Sequence, residues 1–77
     1  MPKLPVLSGK DVCHILSLYA FVEVRRRGSH IVMQKKTEVS TITVPVPDHK
    51  EIRIGTLQAI IRQSNLSKDA FTVKAKS

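Results

Sequence analysis

With 77 residues, the chain has room for one domain over residues 1–77, with a small core and no deep cofactor pocket. Hydrophobic residues make up 42% and aromatic residues 4%, which excludes a disordered chain and implies a core of Val, Ile and Leu. Thirteen Lys and Arg against six Asp and Glu, a net charge of +7, point to a polyanionic partner: nucleic acid, an anionic membrane surface or an acidic protein. The bland alternative is a merely soluble basic domain. The single cysteine, Cys13, excludes an internal disulfide and makes no zinc site alone. No apolar run approaches the ~20 residues that span a bilayer. The stretch "MPKLPVLSGK" lacks the core of a signal peptide, so a reducing cytoplasm is the expected location.

The first predicted element is a helix in "LSGKDVCHILSLYAF", where Ser8 and Asp11 have the spacing of a capping box. Val12, Ile15, Leu16 and Tyr19 recur on one helical face, with Lys10 and His14 away from its centre. Cys13 falls in the same pattern and reads as a small hydrophobe. In "FVEVRRR" the period becomes alternating: Phe21, Glu23 and Arg25 are expected on one side, Val22 and Val24 on the other. Gly28 supplies a turn, because it takes a positive φ without steric cost. "HIVMQKK" predicts a second strand, Ile31 and Met33 facing the core and His30, Val32 and Gln34 facing away. Residues 37–40 read as a second turn. "TITVPV" reads as a third strand that Pro45 and Pro47 are expected to end, since neither donates a ladder hydrogen bond. A second helix is predicted from Gly55 and Thr56, with Leu57, Ile60 and Ile61 as its apolar face and Asn65 as its stop. Ser67 then caps a short terminal helix from which Phe71 tucks back. Short turns between the strands require antiparallel pairing. The expected fold class is therefore α+β: a three-stranded antiparallel sheet with two helices on one face, in the order α-β-β-β-α. The other face is left to solvent or a partner.

The residues exclude several chemistries. There is no Gly-rich phosphate loop, no serine–histidine–aspartate set, no histidine pair at metal-ligand spacing, and too few scattered carboxylates for a two-metal nuclease. What remains is a histidine behind a cationic cluster, in "RRRGSH". RNA carries its own nucleophile, the 2′-hydroxyl. A base removes that proton, the oxygen attacks the adjacent phosphorus, and cations stabilise the charge on the phosphoryl oxygens. No cofactor is required, and an ordinary imidazole titrates near ~6.5, close to working pH. His30 is the candidate base, at a strand start after a tight turn. Most lone histidines are structural or solvated, and spacing alone does not separate the readings. His49, in "PVPDHKE", fits a second proton carrier, a phosphate contact or a plain turn residue. His14 reads as partly exposed and structural. Arg25, Arg26 and Arg27, with Ser29 in the turn and Lys35 and Lys36 on the paired strand, are candidate RNA contacts gathered at one end of the sheet. Charges at a hairpin tip also discourage edge-to-edge aggregation. Base stacking is not favoured, because Tyr19, Phe21 and Phe71 are expected in the core.

In its whole pattern the chain resembles the HicA toxin family, small RNA-cleaving toxins of bacterial toxin–antitoxin pairs. The resemblance is carried by "LSGKDV", "RRRGSH", "TVPVPDHKEI" and "GTLQAIIRQSNLSKDAF", which follow one another in the family's order over nearly all of the chain. "GSH" alone is a weak motif; joined to Pro47, Asp48 and His49, and then to Gly55, Thr56 and Leu57, it is much more specific. The resemblance implies a fold similar to the double-stranded RNA-binding domain. It implies a metal-free ribonuclease acting on messenger RNA, with His30 essential. It further implies a HicB-type antitoxin that covers the active site, and a toxin that is monomeric when free. One departure concerns the turn from helix to strand: relatives commonly carry glycine before the first-strand phenylalanine, and this chain has Ala20 before Phe21. A non-catalytic RNA-binding module and a protein-interaction domain with a basic face remain the other readings.

Overall fold

In the computed structural model, which describes residues 4–72, the chain runs helix, three strands, helix and a final 3-10 turn. Ser8 starts the first helix. The Asp11 amide donates to Ser8 Oγ at 3.0 Å and the Ser8 amide donates to the Asp11 carboxylate at 3.1 Å, so two donors with no partner inside the helix are satisfied reciprocally. Helix α1, Gly9–Ser17, buries Val12, Ile15 and Leu16. The expected face stops there. Tyr19 lies past the helix and is 40% exposed. The chain reverses at Ala20, whose φ of 74° lies in the left-handed region. The amide of Ala20 donates to the Ser17 carbonyl at 3.3 Å, and that of Phe21 to the Leu16 carbonyl at 3.1 Å. These are the two bonds of a Schellman motif, whose left-handed position usually carries glycine. The missing glycine thus leaves the turn intact but strained, and Phe21 is delivered into the core beside Leu16.

Strands β1 (Val22–Arg27), β2 (His30–Lys36) and β3 (Thr41–Pro47) form an antiparallel sheet in that order. The β1–β2 hairpin turns through Gly28 and Ser29 alone, and Gly28 has a φ of 56°. A positive φ at the first central position only is the pattern of a type II′ turn, whose twist matches paired strands. Ile31 and Met33 of β2 and Val44 and Val46 of β3 are buried beneath the helices. The strand runs through Pro45, contrary to expectation, and ends at Pro47 as expected. The Asp48 amide donates to the Ser29 carbonyl at 2.6 Å. His30–Pro47 and Val32–Pro45 are then the pairs that exchange no ladder bonds, and the proline nitrogens point off the open edge, where a missing N–H costs nothing.

Helix α2, Ile54–Ser64, starts one residue before Gly55 and ends at Asn65, whose left-handed φ of 65° closes it. It buries Leu57 and Ile60, while Ile61, also expected inside, is only half-buried at the edge of the core. The 3-10 turn Lys68–Phe71 follows, with Phe71 fully buried. Both helices share one face of the sheet, as expected, and among the described residues nothing covers the other face.

Candidate active site

The site depends on how β1 distributes its arginines. Strict alternation would put Arg25 with Glu23 and Phe21, toward the helices. Instead the register shifts between Glu23 and Arg25, leaving Val24 as an extra residue. A bulge of this kind flips the facing of all that follows. Glu23 lies opposite Met33 and Arg26 opposite Ile31, both partners buried on the helix side. Arg25 lies opposite Val32 and Arg27 opposite His30. Arg25, Arg27, His30, Val32, Thr43 and Pro45 line one shallow concavity of about 500 Å³ on the uncovered sheet face. His30 is exposed there, facing away from Ile31 and Met33 as its parity requires. Side chains directly opposite on paired strands have Cβ atoms about 5 Å apart, and diagonal neighbours stand about 7–8 Å apart. One imidazole and two guanidinium groups therefore border the same open concavity.

Arg26 has a different task. Its guanidinium donates to the Asp48 carboxylate at 2.8 Å across the end of the sheet. That hydrogen bond holds the Asp48 carboxyl below its usual range, and the carboxylate in turn pushes the guanidinium above its ordinary value. Both groups are in contact with solvent, so the pair chiefly positions the segment that follows β3. Gly9 holds the same segment from the other side. Its amide donates to the His49 carbonyl at 2.8 Å. A Cβ there would collide with the Pro47 carbonyl oxygen and lie 2.9 Å from the Asp48 Cα. The glycine of "LSGKDV" is thus a point of close backbone approach that the sequence does not announce, beyond placing a glycine in the first turn of an otherwise regular helix.

With its backbone pinned in this way, His49 enters a second concavity of about 380 Å³, between the β3 edge and α2. His30 lines this cleft too, together with Pro45, Pro47, Glu51, Arg53, Thr56 and Gln63. The two histidines that the sequence separates by nineteen positions share one cleft, and His30 stands at the junction of both concavities. Arg53, Thr56 and Gln63 were not among the expected contacts, since nothing local marks a loop and a helix as the wall of a cleft. Ser29 is exposed in the hairpin turn, beside His30.

The two lysines do not join the arginines. Lys35 and Lys36 lie at the far end of β2, roughly 16–20 Å from His30 at ~3.3 Å per residue. Lys35 sits on the helix side with its Nζ 5.9 Å from the Phe21 ring centroid, a cation–π contact. The expected single patch is therefore two clusters, because antiparallel pairing sends the end of β2 back to the start of β1. His14 is exposed on α1. Cys13 is half-buried against the core. Burial, and then the carboxylates of Glu23 and Asp48, push its thiol up to about 11, so it stays protonated near neutrality. Among the described residues no group of three His, Cys, Asp or Glu could hold a metal ion, and no helix is long and apolar enough to cross a membrane.

The family model described as the HicA toxin of bacterial toxin–antitoxin matches residues 9–66. That span begins at Gly9 and includes β1 to β3, both concavities and all of α2. A search of curated proteins finds no match.

Proposed function

From the chain's place in the HicA toxin family, to which it belongs, we propose that it cleaves messenger RNA without a metal, His30 acting as the base. The coarse activity comes with the family: the chain is the toxin of a toxin–antitoxin pair, with an RNA target and an antitoxin partner. The finer reading rests on one observation, the grouping of His30 with Arg25 and Arg27 on an uncovered sheet face. A phosphodiester lying there would meet two cations, which stabilise the charge that builds as the 2′-oxygen attacks. His30 would accept the 2′-proton. The nucleophile belongs to the substrate, so the protein needs to supply only a base, a charge clamp and an orientation. Ser29, at the hairpin tip, is a further RNA contact in this reading, and Arg26 acts through Asp48 instead of through RNA. Lys35 and Lys36 would meet RNA only where the strand runs the length of the sheet.

The same face suits the antitoxin. A HicB-type partner that covers Arg25, Arg27 and His30 would exclude RNA from both concavities at once. In this reading the toxin acts in the cytoplasm, where messenger RNA is, and is monomeric until its partner binds.

The decisive experiment compares wild type and His30→Ala for RNA cleavage, RNA binding and thermal unfolding, with and without chelator. Cleavage is expected to fall by about 10²- to 10⁴-fold, with binding and melting temperature retained because the side chain is exposed. Chelator is expected to have no effect on the wild type. Cleavage that persists in the variant removes His30 from the mechanism. A wild type that binds but never cleaves favours the non-catalytic RNA-binding reading.

A further inference from the structure

Resting on the reading of His30 as base, we infer that His49 is the general acid of the same reaction and that the cleft between β3 and α2 receives the leaving nucleoside. Displacement at phosphorus has two ends. The attacking oxygen must lose a proton and the departing oxygen must gain one, and the two oxygens lie on opposite sides of the phosphorus. One imidazole serves one end at a time. The fold offers a second, two residues beyond Pro47, the cross-strand partner of His30. Both imidazoles line the cleft between β3 and α2, so a phosphodiester seated there can be served by one at each end.

Three features favour a functional His49 over a plain turn residue. Its backbone is held on both sides, by the Gly9 amide on its own carbonyl and by the bonds of Asp48 to Ser29 and Arg26. Its exposed side chain nonetheless has no hydrogen-bond partner among the described residues, so this rigidity serves no imidazole contact of the fold itself. The cleft it enters is shared with His30 and walled by Glu51, Arg53, Thr56 and Gln63, one carboxylate, one cation and two neutral polar groups that can hydrogen-bond a leaving nucleoside. An RNA strand passing from the Arg25–Arg27 face over His30 would enter this cleft with its leaving side first.

The proton balance closes. O2′ gives its proton to His30 as the O2′–P bond forms. The P–O5′ bond breaks, and O5′ takes a proton from the His49 imidazolium. The products are a 2′,3′-cyclic phosphate and a 5′-hydroxyl. His30 ends protonated and His49 neutral, and exchange with water restores both.

A leaving group that needs no proton tests this. Two oligoribonucleotides are compared, one natural and one with sulfur replacing the bridging 5′-oxygen at the scissile position, a thiolate being a good leaving group without protonation. His49→Gln is expected to lose about 10²- to 10⁴-fold on the oxygen substrate and to stay within about tenfold of wild type on the sulfur substrate. His30→Ala is expected to fail on both. The sulfur substrate also reports folding, since an unfolded variant cleaves neither. His49→Asn provides a second neutral side chain should glutamine disturb the loop. Equal loss on both substrates by folded His49 variants would assign the residue to binding and overturn the acid. Unchanged cleavage of the oxygen substrate would overturn it as well. If His30→Ala cleaves both as wild type does, the base assignment fails separately, whatever His49 does.

Discussion

Asp48 shows how little of a site residue's work is local. Its carboxyl is held below the ordinary value of 3.8, first by the Arg26 hydrogen bond. A depressed carboxyl contributes stability that is complete above the unfolded value and is lost as the pH falls through the lowered folded one. Asp48→Asn is therefore expected to lower the melting temperature near about pH 7, by an amount that shrinks as the pH falls through the lowered folded value. Melting curves across that range check this, and a variant as destabilised in acid as at neutrality would show that the pair is not the cause. The same substitution frees the residue before His49, so cleavage is expected to fall although Asp48 touches no RNA in this mechanism.

At the scale of elements, the two ends of α1 carry opposite errors of fit. At its C-terminus a non-glycine residue occupies a left-handed position, φ 74° at Ala20, which costs an L-residue roughly 1–2 kcal/mol. Ala20→Gly is expected to raise stability by up to about 1 kcal/mol, part of the relief being offset by the greater unfolded-state entropy of glycine. Denaturant unfolding measures it, and a destabilised variant would mean that the turn is shaped by something other than backbone strain. At the N-terminus, glycine is required. Gly9→Ala drives a Cβ into the Pro47 and Asp48 backbone and is expected to cost about 1–3 kcal/mol, the range for overpacking. Because that backbone leads directly into His49, cleavage is expected to fall further than the loss of folded protein explains. Comparing specific activity per folded molecule separates the two effects.

Over the whole molecule, a net charge of +7 says that a polyanion binds but not where. The structure divides the cations of β1 and β2 into an arginine pair at His30, an arginine committed to Asp48, and a lysine end beyond the reach of the site, and adds Arg53 on the wall of the cleft. Each phosphate contact on single-stranded nucleic acid adds about 0.7 to the slope of log affinity against log salt. Neutralising Arg25 and Arg27 together is expected to flatten that slope by about 1.4, two contacts at ~0.7 each. Arg26→Ala is expected to change it much less while lowering cleavage through the displaced segment. Titrations at several salt concentrations distinguish these. A slope lost equally from all three arginines would show that the bulge does not divide their roles in solution.

The features legible in the sequence are those set by short-range rules. The capping box of Ser8 and Asp11, the turn at Gly28, the antiparallel order, and the orientation of His30 away from Ile31 and Met33 all follow from groups within a few residues of each other. The family resemblance added a role for His30 that spacing could not supply. The errors, Tyr19 excepted, share one origin, which is that each depended on a distant partner. Tyr19 left the core because the Schellman turn claimed its segment, and Ile61 reached only the rim because Leu57 and Ile60 filled the space over the sheet. Pro45 stays within β3 because it is an edge strand, a fact of sheet order. The bulge at Val24 sent Arg25 and Arg27 to one face and Arg26 to the other, where it meets an aspartate 22 positions away. Alternation alone carries no signal for an extra residue, since the bulge is a feature of how β1 pairs with β2. The meeting of His30 with His49 is of the same kind. It exists because Gly9, Ser29 and Arg26, on three different elements, hold one short loop against the end of the sheet.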